Sequence, residues 1–258
     1  MSGAIGWDVA LGVAVTGMVS VMALLRAPRR KALVMAFPVP FTIACMAVGR
    51  PIDATHVAAL SLLFAYTLAV HTLHRGCRVP LLPSIALAVT GFIGAATVLN
   101  RLLPRDDAAF WWAIAATLIV GAVLIRALPR RDEQGLRDEI PVHVKVPIAL
   151  ATTVGLVLLK QAIGGFMTLF PMVGVLASFE NRRGLWSNVR QIPVVMVTML
   201  PLMATSRLTE PAIGLAASLA LGWIPFTIAL APFVVRGWQG GADPPPAADA
   251  ISSAEATH

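Results

Sequence analysis

Two Phe-Pro pairs are the residues best suited to build a binding site in this chain. Phe37-Pro38, followed by Pro40, and Phe170-Pro171 each lie inside an apolar run, 133 positions apart. Proline in a helix interior removes a backbone hydrogen bond and clashes with the preceding turn. Carbonyls freed this way at membrane depth are tolerated only against protein or a water-filled cavity. Matching breaks in two halves of a chain therefore point to a substrate site. The competing reading is a kink made for packing, since proline is common in membrane helices, and Pro193, Pro201, Pro225 and Pro232 read that way.

Three polar residues join the candidate list. Lys160 and Gln161 sit between apolar flanks, and an intramembrane ionisable residue marks function by default, although a lysine near a helix end also snorkels to water. Glu180 closes an apolar run just before Asn181-Arg182-Arg183, as a proton-coupled carboxylate at a gate or as an interfacial ion-pair partner. The candidate substrate-binding set is thus Phe37, Pro38, Pro40, Lys160, Gln161, Phe170, Pro171 and Glu180.

Other chemistry finds little footing. His71, His74 and Cys77 have inviting spacing, but zinc needs three or four oriented ligands and Gly76 interrupts the helix before the cysteine. They read as a polar span end beside Arg75 and Arg78, and no metal site is expected. There is no phosphate-binding glycine loop, HExxH, nucleophile elbow or paired intramembrane carboxylate. Lipid-phosphate enzymes that use magnesium need clustered acidic ligands, and the acidic residues here are scattered. No catalytic residue and no cofactor are expected.

The elements that must carry these residues are membrane helices. Charged residues make up 13% of the chain and hydrophobic ones 57%, against about 25% charged in soluble domains, and mean hydropathy is +0.79. The apolar residues form long runs separated by short charged clusters. A bilayer core of ~30 Å takes about 17–25 apolar residues per helix, and the runs are too continuously apolar for alternating barrel strands. The expected fold is all-α, a polytopic bundle of nine spans at 9–25, 32–48, 57–72, 81–99, 108–128, 146–163, 165–179, 192–205 and 212–235. Gly164-Gly165 joins spans six and seven either as a tight hairpin or as the start of a re-entrant segment.

Four regions follow: a first membrane half, 1–128; a charged linker, 129–145; a second half, 146–236; and a disordered tail, 237–258. The linker alternates charge, as in Arg131-Asp132-Glu133 and Arg137-Asp138-Glu139, which suits a solvated segment. The tail is rich in Gly, Pro, Ala and Ser. The start lacks a basic n-region and Asp8 precedes the first apolar run, so that run reads as a retained span rather than a cleaved signal.

A net charge of +7 would suit nucleic acid if the basic residues shared a face, but they sit at span ends, where membrane proteins keep them. With nine spans one side holds Arg50, Arg101, Arg105, Lys160 and Arg207, and the other fifteen of the twenty Lys and Arg fall opposite. The positive-inside rule then places the N-terminus outside and the C-terminus in the cytoplasm. Trp7, Trp111, Trp112, Trp186 and Trp238 lie near span ends, at headgroup level, and Trp223 lies deeper as a packing residue. Arg50 with Asp53, and Arg207 with Glu210, read as outer loop charges.

Spans one and two resemble spans six and seven. Leu24-Leu25-Arg26 and Ala36-Phe37-Pro38 correspond to Leu158-Leu159-Lys160 and Leu169-Phe170-Pro171. Five spans separate the units, so they point in opposite directions, an inverted repeat of spans 1–4 and 6–9 of the kind many secondary transporters use. Residues 165–184, with Leu169-Phe170-Pro171, a following apolar run, Glu180 and Arg183-Gly184, also resemble a segment of the small GlpM-type inner-membrane proteins of bacteria. The likeness spans about twenty residues, and the chain is about twice that family's length. It implies a bacterial inner-membrane protein, fused or duplicated, and transfers no catalytic residue.

Three functional classes fit. The leading one is a transporter or permease for a small solute or lipid-linked molecule, with its site near broken helices two and seven. The second is a non-transporting subunit or scaffold of a larger complex, in which Pro and Gly serve packing. The third is a membrane-embedded enzyme, which would need polar residues converging in the bilayer. The expected partners are the lipid bilayer, an unidentified substrate and either further copies or a membrane subunit, with no nucleic acid.

Overall fold

The computed structural model describes residues 6, 7, 9, 10, 13, 17, 37–129, 163–171, 174, 175, 178, 179 and 184–239. Most of spans one and six, nearly all of the linker and tail, and Lys160, Gln161 and Glu180 lie outside the described residues. Among the described residues there is no strand. The helices are α1 (Val39–Val48), α2 (Ala54–His71, continued by a π turn Thr72–Gly76), α3 (Leu81–Leu102), α4 (Asp107–Ala127) and α5 (Leu185–Gln239), with a 3-10 segment at Gly164–Leu169.

Four of these helices, α2 with its π turn, α3, α4 and α5, are long and apolar enough to cross a membrane. Helix α4, with 21 residues, is about 31 Å long, close to the ~30 Å bilayer core. Asp106 caps its start by accepting from the Ala109 N–H at 2.7 Å, and its last turn carries Arg126. Between these ends Ile119 and Val123 are 64% and 56% exposed. Apolar surface of this kind is costly in water and suits lipid.

Helix α5 is a hairpin. A straight helix of its 55 residues would extend about 80 Å. At Gly214, however, φ is 78° and ψ 165°, a conformation open to glycine because it lacks Cβ. The chain folds back there, and the Ser206 hydroxyl donates to the Ser218 carbonyl at 3.2 Å. A Cβ on Gly222 would lie 2.8 Å from the Leu202 carbonyl oxygen, so glycine permits the close approach of the two arms, 185–213 and 215–239. The expected span 192–205 falls on the first arm, and 212–235 begins two residues before the fold at Gly214 and continues along the second.

Helix α2 packs against α3, α4, α5 and the 3-10 segment. One buried cluster gathers Tyr66, Phe92, Phe166 and Phe170, and another gathers Phe41, Leu60, Phe110, Met196, Met199 and Phe226. The ends of the bundle follow from specific contacts. Gly164 abuts Asn100, Gly165 abuts Thr55 and His56, Arg105 approaches Asp53, and Arg207 reaches Asp107 and the Ile52 carbonyl. These define the Asp53 end. At the opposite, Trp186 end the Trp186 indole N–H donates to the Pro129 carbonyl at 3.0 Å and its ring meets His71 at 5.2 Å.

Gly165 lies at the Asp53 end and α5 starts at the Trp186 end. The described part of the expected span 165–179 is not a continuous α-helix. The segment begins as 3-10 helix and breaks at Phe170, whose φ of −55° and ψ of 137° are extended, as steric conflict with a following proline requires.

Candidate functional site

The two Phe-Pro breaks meet. A cavity of about 140 Å³ is lined by Phe37, Pro38, Pro40, Phe170 and Pro171, with Phe41, Leu63, Leu169, Ile192, Val195 and Met199 completing most of its apolar wall. Helix α1 has ten residues, so Pro38 lies about 15 Å from its far end. The six-residue 3-10 segment covers about 12 Å from the Asp53 end before Phe170. Both breaks thus sit near half the length of the bundle.

Each proline starts a helical turn. The Pro38 carbonyl accepts the Thr42 N–H at 2.9 Å and the Pro171 carbonyl accepts the Val175 N–H at 2.8 Å. The turn opened by Pro38 leads to the Asp53 end, and the one opened by Pro171 leads to the Trp186 end. The breaks are also clamped from different sides. Phe37 packs on Trp223 at 5.9 Å, and the Trp223 N–H donates to the Thr42 hydroxyl at 3.1 Å. Phe170 packs edge-on to Phe92 at 5.3 Å. These contacts fix the rings while leaving space between the prolines.

Polar atoms in the cavity wall come from Thr67, Thr168, Asn188 and Gln191. The Thr67 hydroxyl donates to the Phe64 carbonyl at 2.8 Å and the Thr168 hydroxyl to the Gly165 carbonyl at 2.7 Å. A hydroxyl that donates to its own backbone keeps lone pairs for a further donor. No charged side chain lines the cavity among the described residues. The arrangement suits binding of a mainly apolar molecule carrying a hydrogen-bond donor, and among the described residues it offers no nucleophile or general base.

The cavity runs from mid-bundle, at Phe41 and Leu63, toward Asn188 and Gln191 near the Trp186 end. Toward the Asp53 end, beyond Thr168, Gly164 and Gly165 pack against Asn100, Thr55 and His56. A Cβ on Gly165 would lie 2.2 Å from the Thr55 hydroxyl and 2.5 Å from His56 Nδ1, so its backbone rests directly on both side chains.

Beneath that turn lies a polar cluster around Asp53, a residue expected from the sequence to be an outer loop charge beside Arg50. Asp53 caps α2, accepting from the Thr55 N–H at 2.9 Å and the Thr55 hydroxyl at 2.5 Å; its backbone N–H donates to His56 Nδ1 at 3.2 Å, and the same ring nitrogen lies 2.9 Å from the carboxylate. Its side chain is 16% exposed and that of His56 1%. Burial pushes the Asp53 carboxyl up, but the bonds and charge from His56 and the donors of Thr55 outweigh it and hold the group well below the usual carboxylate range. A sequence signal existed: an acidic N-cap with a polar side chain three residues on, at Asp53 and His56, resembles a capping box.

Two further readings change. Arg207 is bound by Asp107, at 2.5 and 3.1 Å, and by the Ile52 carbonyl at 3.3 Å, rather than by Glu210. Trp186 lies at a span end as expected, yet it is buried rather than set in a headgroup belt, because its N–H satisfies a carbonyl beyond the end of α4. Trp111 and Trp112 are exposed in the second turn of α4. His74 Nδ1 lies 2.9 Å from the Val79 carbonyl oxygen, and Cys77 is exposed.

Among the described residues the fold is all-helical, with four helices long and apolar enough to cross a membrane and two Phe-Pro breaks that line one cavity. No family model, curated protein or solved structure matches the chain.

Proposed function

We propose that the protein is a transporter or permease for a small solute or lipid-linked molecule, bound between the two Phe-Pro breaks. One observation carries this reading: breaks 133 residues apart in sequence line a single cavity at half the bundle's length, and the helical turns they open run in opposite directions. That relation is expected of an inverted repeat of spans 1–4 and 6–9 in a nine-span bundle. The cavity lies on the Trp186 side of the Gly164-Gly165 turn, as in a state open to one side and shut at the other. The basic-residue asymmetry supports a cytoplasmic Trp186 end, with the N-terminus outside and the C-terminus inside. The GlpM-like segment supports a bacterial inner membrane.

The test compares small molecules and lipids in cells and medium for a deletion strain rescued with wild type, Pro171→Ala or Phe170→Ala. The expected outcome is a compound that redistributes on deletion and returns only with wild type, while both variants reach the membrane at normal level. Full rescue by both variants removes the site assignment. A deletion that redistributes nothing but strips a component from a membrane complex replaces transport with the scaffold reading.

A further inference from the structure

We propose that the cavity between the Phe-Pro breaks is a slot for a single unbranched alkyl chain of about eight to ten carbons that ends in an uncharged hydrogen-bonding head. This inference rests on the reading of that cavity as the transport site and names the class of molecule held there. One wall gives the shape. Helix α5 lines the cavity with Asn188, Gln191, Ile192, Val195 and Met199. Steps of three and four residues place these side chains on one stripe of the helix, and from Asn188 to Met199 that stripe covers about 16 Å of its axis. The volume gives the width. The cavity holds about 140 Å³, and an apolar protein cavity of about 150 Å³ takes one benzene. A space this small, drawn out along three turns of helix, is one chain wide. A second chain or a fused ring system has no room beside the first.

Polarity changes along the slot. Asn188 and Gln191 stand at the Trp186 end, and Ile192, Val195 and Met199 follow toward mid-bundle. Thr67 belongs to the amide end as well, because α2 starts at the Asp53 end with Ala54 and reaches Thr67 about 20 Å further on. The Thr67 hydroxyl donates to the Phe64 carbonyl, which leaves oxygen lone pairs for a donor on the ligand. Amide side chains both donate and accept, so this end matches a hydroxyl or a primary amide. Toward the other end the wall is made by Phe41, Leu63, Leu169 and Met199, and Thr168 there donates its hydroxyl proton to the Gly165 carbonyl. An alkyl tail suits that wall, whereas a charged group would lose its hydration against it.

The depth of the slot sets the length of the tail. From Gln191 to Met199 the axis of α5 advances about 12 Å. Carbon–carbon bonds of about 1.5 Å at their tetrahedral angle advance about 1.25 Å each, so this depth takes about eight to ten carbons. The breaks explain why the slot stays open to a ligand. Phe37 is held by Trp223 and Phe170 by Phe92, so the walls keep their places before anything enters, and binding costs little reordering.

The test uses the full chain in phosphatidylcholine nanodiscs with a photoreactive probe, 1-octanol carrying a diazirine at mid-chain. Labelled residues are mapped by mass spectrometry while unlabelled alcohols of increasing length compete. Competition is expressed against the alcohol concentration in the bilayer, so that partition into lipid cancels. We expect saturable labelling at 168–171 and 192–199. Potency should hold up to about ten carbons and fall about tenfold for 1-hexadecanol, the cost of overfilling the slot. Octanoate and 1-adamantanemethanol should compete at least about tenfold less well than 1-octanol. Val195→Phe, which fills the slot, should remove the labelling, and Val123→Phe on the exposed face of α4 should leave it unchanged. Gln191→Leu should weaken competition by 1-octanol and spare competition by octane. Labelling that does not saturate, potency that continues unchanged to 1-hexadecanol, or octanoate or 1-adamantanemethanol competing as well as 1-octanol overturns the proposal. So does full labelling in Val195→Phe or unchanged competition by 1-octanol in Gln191→Leu. Should the variants fail to fold, the wild-type map and the competitor series decide the matter by themselves. Saturable occupancy with no compound redistributed in the rescued cells removes the transport reading and leaves this ligand class standing. A compound redistributed by the wild-type chain while the slot stays unlabelled removes this inference alone.

Discussion

The two sides of the Gly164-Gly165 turn solve opposite problems with the same backbone. On the Asp53 side the turn is pressed onto polar side chains, Thr55 and His56, with distances that leave no space for a methyl group. On the other side, only a few residues further along, Phe170 and Pro171 are held apart from Phe37 and Pro38 by aromatic clamps, and a cavity remains. The first arrangement minimises volume and the second preserves it. Close packing of Gly165 on Thr55 and His56 leaves no gap the size of a water beside the buried ring. Space bounded by rigid rings is what a binding site requires.

The largest effect is expected from breaking the seal. Gly165→Ala puts a Cβ into Thr55 and His56, atoms fixed by the Asp53 cap and unable to yield cheaply. Gly164 beside it is already left-handed, with φ of 54°, so the turn has little freedom to relax. Overpacking of this kind costs about 1–3 kcal/mol and occasionally more, and the upper part of that range is expected here. Thermal unfolding of the detergent-solubilised protein measures it. A midpoint equal to wild type would show that the turn does not rest on α2.

A smaller loss is expected from Asp53→Ala, which removes the N-cap of α2 and the orienting bond to His56. Loss of an N-cap costs about 0.5–2 kcal/mol. The pH dependence has a definite sign. The folded-state pKa of Asp53 is depressed, so its contribution is fully present above the unfolded value of about 3.9 and is lost as pH falls below that toward the folded value. Wild type should therefore lose its advantage over Asp53→Ala below about pH 4, measured as the difference in unfolding midpoint across an acid series. A difference that grows with acidity would mean the carboxyl is stabilised in its protonated form.

How much of this was legible in the sequence follows from the range of the forces involved. Spans 57–72, 81–99 and 108–128 correspond closely to α2, α3 and α4, because bilayer thickness is a constraint that hydropathy along the chain reports directly. The Phe-Pro breaks were legible too, since proline acts on its own backbone. The start of α5 was not: Trp186, Ser187, Asn188 and Arg190 interrupt the apolar run, yet the helix begins at Leu185, where Trp186 is held by His71 and Pro129. Asp53 looked like a loop charge, and His56 drew no reading, because their setting beneath Gly165 depends on a residue distant in sequence that contributes only the absence of a side chain.

The smallest effect sharpens the comparison most, because it makes the same substitution on the other side. Gly174 belongs to the helical turn that follows Pro171 and lines the cavity. A Cβ there would meet Pro171 Cβ at 3.3 Å and Tyr66 Cε1 at 3.4 Å. Those contacts are tight but several tenths of an ångström longer than those at Gly165, and Gly174 and Pro171 themselves border the cavity, which gives them room to shift by a few tenths of an ångström. Alanine also favours a helix over glycine by about 0.8–1.0 kcal/mol, which opposes the contact cost. Gly174→Ala should therefore change stability by less than about 1 kcal/mol, while Gly165→Ala, in the same segment, unfolds the protein at a clearly lower temperature. Equal losses in the two variants would mean that the whole segment is packed to one density and that the contrast between seal and cavity is not a property of this protein.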